Sequence, residues 1–150
     1  MNALLLVCPG PEQQLKKLAL KIRYLLEEAA LGKANMHVFT TLLDPHAYGS
    51  AVTLADELGV KPINLKSLLP NSCLVTEIKR DLRDFLDTHV GKENVVILVP
   101  CAGYIDPITY DGSISPLITK WIKDVGPAEA ICFSSAGFRR SRDVLISVAA

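Results

Sequence analysis

Two cysteines and one histidine are the residues of this chain best placed to do chemistry. Cys8 stands in Cys8-Pro9-Gly10-Pro11 and Cys101 in Pro100-Cys101-Ala102-Gly103, each just after a short aliphatic run. His46 follows Asp44-Pro45, shortly after a third run that ends in Thr40-Thr41. A thiol beside an imidazole can attack a substrate, bind a metal or switch redox state. A reactive thiolate needs a cation or a helix N-terminus nearby. No Lys, Arg or His lies close to either cysteine in sequence, and the helix expected after Pro11 is the only local help. The competing reading is that both cysteines are small buried residues.

Other constellations narrow the chemistry. A cysteine phosphatase needs Cys, five intervening residues and then Arg, so that the loop and the guanidinium cradle phosphate. The nearest approach, Cys132 to Arg139, has six residues between and misplaces the cradle. The prolines at 9 and 11 remove two backbone donors, which argues against a glycine-rich phosphate loop. His37, His46 and His89 show no metal-ligand spacing, and no two cysteines form a zinc pair, so no metal or cofactor is expected. His89 suits a helix C-terminus, whereas His46 could face a crevice. Arg139, Arg140 and Arg142 form the one basic cluster, either an anion site or a solvated turn. Tyr104, Asp106, Tyr110 and Asp111 decorate a long loop after Cys101, which could line a pocket or do nothing.

The elements that position these residues follow from hydrophobic periodicity. Ala3–Val7 and Val95–Val99 are short, branched and without polar alternation, as strands buried on both faces of a parallel sheet are. Leu15, Leu18, Ala19, Ile22, Leu25, Leu26 and Ala29 repeat at helical spacing, with Gly32 as the expected C-cap. Met36–Thr41 reads as a strand. Asp44-Pro45 opens a helix that buries Ala47, Ala51, Leu54, Ala55 and Leu58 and closes at Gly59. Val60–Leu65 is a shorter strand. A helix from Ser72 to Gly91 buries Val75, Ile78, Leu82, Phe85 and Leu86. A further short helix follows Ser115-Pro116 as far as Lys123. Ala130–Phe133 and Val144–Val148 read as a closing antiparallel pair around the loop 134–142.

The order β-α-β-α-β-α-β-α-β-β predicts one α/β domain over residues 1–150 with a mostly parallel sheet. In such sheets ligands bind outside the carboxyl ends of the strands. The expected crevice is therefore Cys8, Pro9, Gly10, Thr40, Thr41, His46, Cys101, Ala102 and Gly103.

Composition sets the outer bounds. The chain has 150 residues, of which 49% are hydrophobic and 21% charged, enough for one core. Sixteen basic and sixteen acidic residues cancel, so no global field favours nucleic acid or an anionic membrane. No apolar stretch approaches the roughly 20 residues of a membrane span. Four scattered cysteines fit a reduced, cytoplasmic setting better than a disulfide framework.

The element order and strand-end motifs resemble the histidine phosphatase superfamily, of phosphoglycerate mutase-like fold, in its small phosphohistidine-phosphatase size class. The resemblance implies a three-layer α/β/α sandwich. In that family the first strand ends in Val-Arg-His-Gly, with the histidine phosphorylated; Val7-Cys8-Pro9-Gly10 stands there. The family's Ser-Pro-x-x-Arg helix start corresponds in layout to Asp44-Pro45, and its arginine falls near Gly49 or Ser50. The second family histidine, in Val-Gly-His, corresponds to Cys101 in Val99-Pro100-Cys101. Cys8, Pro9, Gly49 and Cys101 are thus degenerate positions. Phosphoryl transfer depends on positioning and positive charge, so losing the nucleophile and two cations implies a noncatalytic pseudophosphatase. Such a domain would bind a small anion or a protein partner. The alternative is a phosphatase-like or thiol-dependent hydrolase using Cys101 or Cys8 with His46. A third reading makes the chain an unrelated phosphosugar-system-like or flavodoxin-like α/β domain. Oligomeric state stays open.

Overall fold

The first aliphatic run is the strand β1 (Ala3–Val7), followed by α1 (Glu12–Glu28), β2 (Asn35–Thr40), α2 (Pro45–Leu58) and β3 (Pro62–Asn64). The second run is β4 (Asn94–Val99), and the chain continues through β5 (Ala130–Ser134), β6 (Gly137–Arg140) and a single 3-10 turn at Ser141–Asp143. These elements come from a computed structural model that describes residues 2–42, 44–64, 94–99, 125–134 and 137–144. The expected helices at 72–91 and 115–123 and the loop after residue 100 lie outside the described residues.

The strands form one sheet in the order β3-β2-β4-β1-β5-β6. The four strands from β3 to β1 run parallel, while β5 is antiparallel to β1 and β6 to β5. The mostly parallel sheet expected from the element order is therefore present. β4 is inserted between β1 and β2, with Leu6 opposite Leu98 and Thr40 opposite Val99. That insertion brings three carboxyl ends together on one edge.

Burial explains why the strands lack alternation. Leu5, Val7, Val38, Val95, Ile97, Val99, Ala130 and Cys132 join the core under α1 and α2. Leu6, Phe39, Val96, Leu98 and Ile131 point the other way and are also buried. Both faces of the central strands are closed to water, so apolar residues are favoured at every position. α1 contributes Leu15, Leu18, Ala19, Ile22, Leu25 and Leu26, each large one worth about 1.5–3 kcal/mol when fully buried. α2 begins as its sequence predicts. Asp44 Oδ1 accepts the His46 N–H at 2.9 Å and the Ala47 N–H at 3.2 Å, with Pro45 in the first turn. Gly59, at φ 75°, ends it. Arg23 donates from α1 to the Glu57 carbonyl at 3.0 Å, supplying positive charge to a helix end whose last turn has none.

Two expectations need correction. Gly32 does not cap α1. Ala30 takes the left-handed conformation at φ 61°, with Ala30 N–H bonded to Glu27 O and Leu31 N–H to Leu26 O. Leu31 and Leu26 are both buried in the core, and that contact holds the reversal despite the side chain at position 30. The partner of β5 is β6, not Val144–Val148. Gly137, at φ 102°, lets the chain fold back early, and Arg139 and Arg140 suit an edge strand. Val144 instead closes the 3-10 turn through its N–H to Ser141 O, and residues 145–148 lie outside the described residues.

Candidate functional site

β1, β4 and β2 end side by side, and the described part of the expected crevice lies between the loop after β1 and the start of α2. From β1 the chain enters Cys8-Pro9-Gly10, which a neighbouring segment clamps. Cys8 N–H donates to Glu129 O at 3.0 Å, and Ala128 N–H donates to Cys8 O at 3.1 Å. Gly10 passes so close to that segment that a Cβ there would sit 2.5 Å from Ala128 N and 2.8 Å from Ala128 Cβ. Ala128 itself holds φ 55°. Glycine at position 10 therefore serves a close backbone approach.

Helix α2 forms the opposite wall. Ser50, 6% exposed, accepts the Gly10 N–H at 3.2 Å and reaches back to Gly10 O at 3.5 Å. Between loop and helix lies a pocket of about 330 Å3 lined by Pro9, Gly10, Asp44, His46 and Ser50. A second, of about 210 Å3, shares Gly10, His46 and Ser50 and adds Glu12, Gly49 and Thr53, among others. The lining thus carries two carboxylates, Glu12 and Asp44, and no Lys or Arg among the described residues. A phosphate in either pocket would meet like charge, with no guanidinium among the described lining residues to offset it. Gly49 faces open space, with nothing within 4 Å of an added Cβ.

The loop's polar groups are spent on holding the chain. Cys8 N–H, Cys8 O and Gly10 N–H all have protein partners, and Pro9 has no N–H to offer. Burial pushes the Cys8 thiol up, and the Glu129 carboxylate adds to the effect. Such a thiol resists ionisation and is a poor nucleophile. Cys132, on β5, is pushed up to about 11, chiefly by burial; Glu28 raises it further and Arg139 opposes both. Among the described residues no group of His, Cys, Asp and Glu could hold a metal.

Several sequence candidates land together and others do not. Pro9, Gly10 and His46 line the crevice, with Gly49 beside them. Cys8 lies just beneath, buried. Thr40 turns its hydroxyl to the Val99 carbonyl at 3.0 Å, locking β2 to β4, and Thr41 is 1% exposed. Cys101, Ala102 and Gly103 lie outside the described residues. The three arginines do not converge: Arg139 pairs with Glu28, Arg140 with Asp143 at 3.0 Å and Arg142 with Glu129 at 2.6 Å. Sequence reasoning missed the 127–129 clamp, the hydrogen bonds of Ser50 and the place of Asp44 and Glu12 in the lining. Ser50 carried a usable signal. It falls on the buried stripe of α2 with Ala47 and Ala51, where a hydroxyl needs a partner.

No protein-family model matches this sequence, and no curated protein matches it. Solved structures do. Phosphoglycerate mutase from Plasmodium falciparum aligns over 99% of this chain and 96% of its own, at 12% identity and a TM-score of 0.60. A mycobacterial glucosyl-3-phosphoglycerate phosphatase in complex with VO3 aligns over 99% of this chain and 100% of its own, at 13% identity and a TM-score of 0.60. Phosphoserine phosphatase from Entamoeba histolytica, bound to 3-phosphoglyceric acid, aligns over 99% and 98% at 12% identity, with a TM-score of 0.57. At these identities the likeness concerns architecture. The chain has the phosphoglycerate mutase-like α/β fold of the histidine phosphatases.

Proposed function

We propose that this chain is a noncatalytic, single-domain member of the histidine phosphatase superfamily, a pseudophosphatase acting in the cytoplasm as a ligand-binding or protein-interaction module. One observation carries this reading. The crevice at the carboxyl ends of β1, β4 and β2 has Pro9 where the fold's phosphorylated histidine is expected, and carboxylates where phosphate needs cations. Proline offers no nucleophile, and the adjoining backbone groups are already bonded. Gly49, at the expected arginine position, leaves its space open. Cys8 does not rescue the chemistry, because its thiol is buried and held in the neutral form. The unpaired thiols of Cys8 and Cys132 accord with a reducing compartment.

Hydrolysis of p-nitrophenyl phosphate tests the proposal, with thiol labelling in parallel. Release of nitrophenol at the buffer rate is expected. Turnover that Cys101→Ser abolishes would replace the proposal with a thiol-dependent hydrolase.

A further inference from the structure

A second concavity lies on the other side of the clamp. It measures about 310 Å3 and runs between α1 and the segments at 127–129 and 141–142. Leu18 and Ala128 lie beneath it, both buried, and Pro127 is exposed at its edge. Its α1 wall carries Lys17 and Lys21, one helical turn apart. The facing wall carries Arg142.

The charges here are unbalanced in one direction. Elsewhere on α1, Lys16 has Glu12 at 3.7 Å, Arg23 has the Glu57 carbonyl and Glu28 has Arg139. Lys17 and Lys21 have no carboxylate within ion-pair distance among the described residues. Glu129, the one acid in the groove, is committed: Oε2 accepts from Arg142 Nε at 2.6 Å and Oε1 accepts the Gly126 N–H at 3.2 Å. The chain as a whole is neutral, so this positive field is local.

From this geometry we infer that the groove docks an acidic segment of a partner protein, its carboxylates meeting Lys17 and Lys21 and an apolar side chain resting on Pro127. The lysines stand four residues apart on α1, in a row along the helix axis. A row matches successive carboxylates along a chain, whereas a single phosphate is best held by donors aimed at one centre. The exposed ring of Pro127 gives such a segment an apolar contact, which a free inorganic anion would not use. This site is separate from the crevice and does not depend on the noncatalytic reading. The two share a wall, however, because Pro127 and Ala128 also pack against Gly10.

Fluorescence anisotropy of the full chain with a labelled peptide of alternating Glu and Leu tests the inference. The same peptide with Gln for Glu serves as control. The acidic peptide is expected to bind and its neutral counterpart not, with binding weakened by salt as the Debye length falls below about 10 Å. The double variant K17E/K21E should lose at least about tenfold in affinity, by reversal of two exposed charges. K16E, whose lysine already has Glu12, should lose little. All these side chains lie at the surface, and circular dichroism confirms that the variants fold. No rise in anisotropy, equal binding of the Gln peptide, or equal losses in K16E and K17E/K21E would overturn the inference. Displacement of the peptide by inorganic phosphate at matched ionic strength would make this a phosphate site and overturn the protein partner.

Discussion

Two glycines flank the crevice, and the structure assigns opposite signs to the same substitution at each. At Gly10 an added methyl would lie 2.5 Å from Ala128 N and 2.8 Å from Ala128 Cβ. Neither neighbour is the end of a flexible side chain, so backbone must move. Forcing a methyl into a packed site costs about 1–3 kcal/mol. The shift also stretches the Ala128 N–H to Cys8 O bond and its companion at Glu129, worth about 1 kcal/mol together when weakened. Gly10→Ala is therefore expected to destabilise by about 2–4 kcal/mol. For a chain of this length each kcal/mol moves Tm by about 2–4 °C, so the drop should be about 5–15 °C. Gly49→Ala adds a methyl to an exposed helix position with nothing within 4 Å. Removing the backbone freedom of a mid-helix glycine should stabilise by about 0.5–1 kcal/mol. Urea unfolding of both variants, with m unchanged, reads the two effects directly. A Gly10→Ala protein within about 0.5 kcal/mol of wild type would refute the close approach on which the crevice's geometry rests.

Four further outcomes follow from the same contacts. Ser50→Ala removes the partner of the Gly10 N–H and should cost about 1–2 kcal/mol by urea unfolding. Ala30→Gly relieves a left-handed alanine and should stabilise by about 1 kcal/mol, while Gly59→Ala should destabilise by a similar amount, both read as Tm shifts. Cys132 is pushed up to about 11, so the folded state keeps a proton that the unfolded state gives up first. Its contribution is intact below the unfolded value near 9 and should fall by about 2–3 kcal/mol as pH rises towards 11, a decline that Cys132→Ala should blunt. Site-resolved mass spectrometry of iodoacetamide labelling should find Cys8 and Cys132 slow in the native protein and fast in urea.

The parts of the fold that were legible in the sequence are those governed by local rules. Unalternating aliphatic runs marked β1 and β4, and Asp44-Pro45 with Gly59 bracketed α2, because burial on two faces and capping geometry act within a few residues. The misreadings arose where contacts distant in the chain decide. Gly32 looked like a stop, yet burial of Leu31 against Leu26 ended α1 earlier and imposed a left-handed alanine. Val144–Val148 has the stronger strand propensity, but the glycine turn at 137 places the arginine-rich segment beside β5. In the site, Pro9, Gly10 and His46 were legible because strand ends gather at one edge. The clamp at 127–129 was not, since no short-range pattern announces that a later backbone will approach Gly10. The arginines read as a cluster only along the chain; in three dimensions each goes to its own carboxylate.

The account stands or falls on whether the crevice between Gly10 and α2 lacks a cradle for a tetrahedral oxyanion. Orthovanadate titrated into the isotopically labelled protein, followed by amide chemical shifts, asks this directly. The prediction is that the amides of Gly10, His46 and Ser50 do not move at any vanadate concentration that leaves the protein folded. Saturable shifts confined to those amides would show that positive potential is gathered there after all and would contradict the noncatalytic assignment.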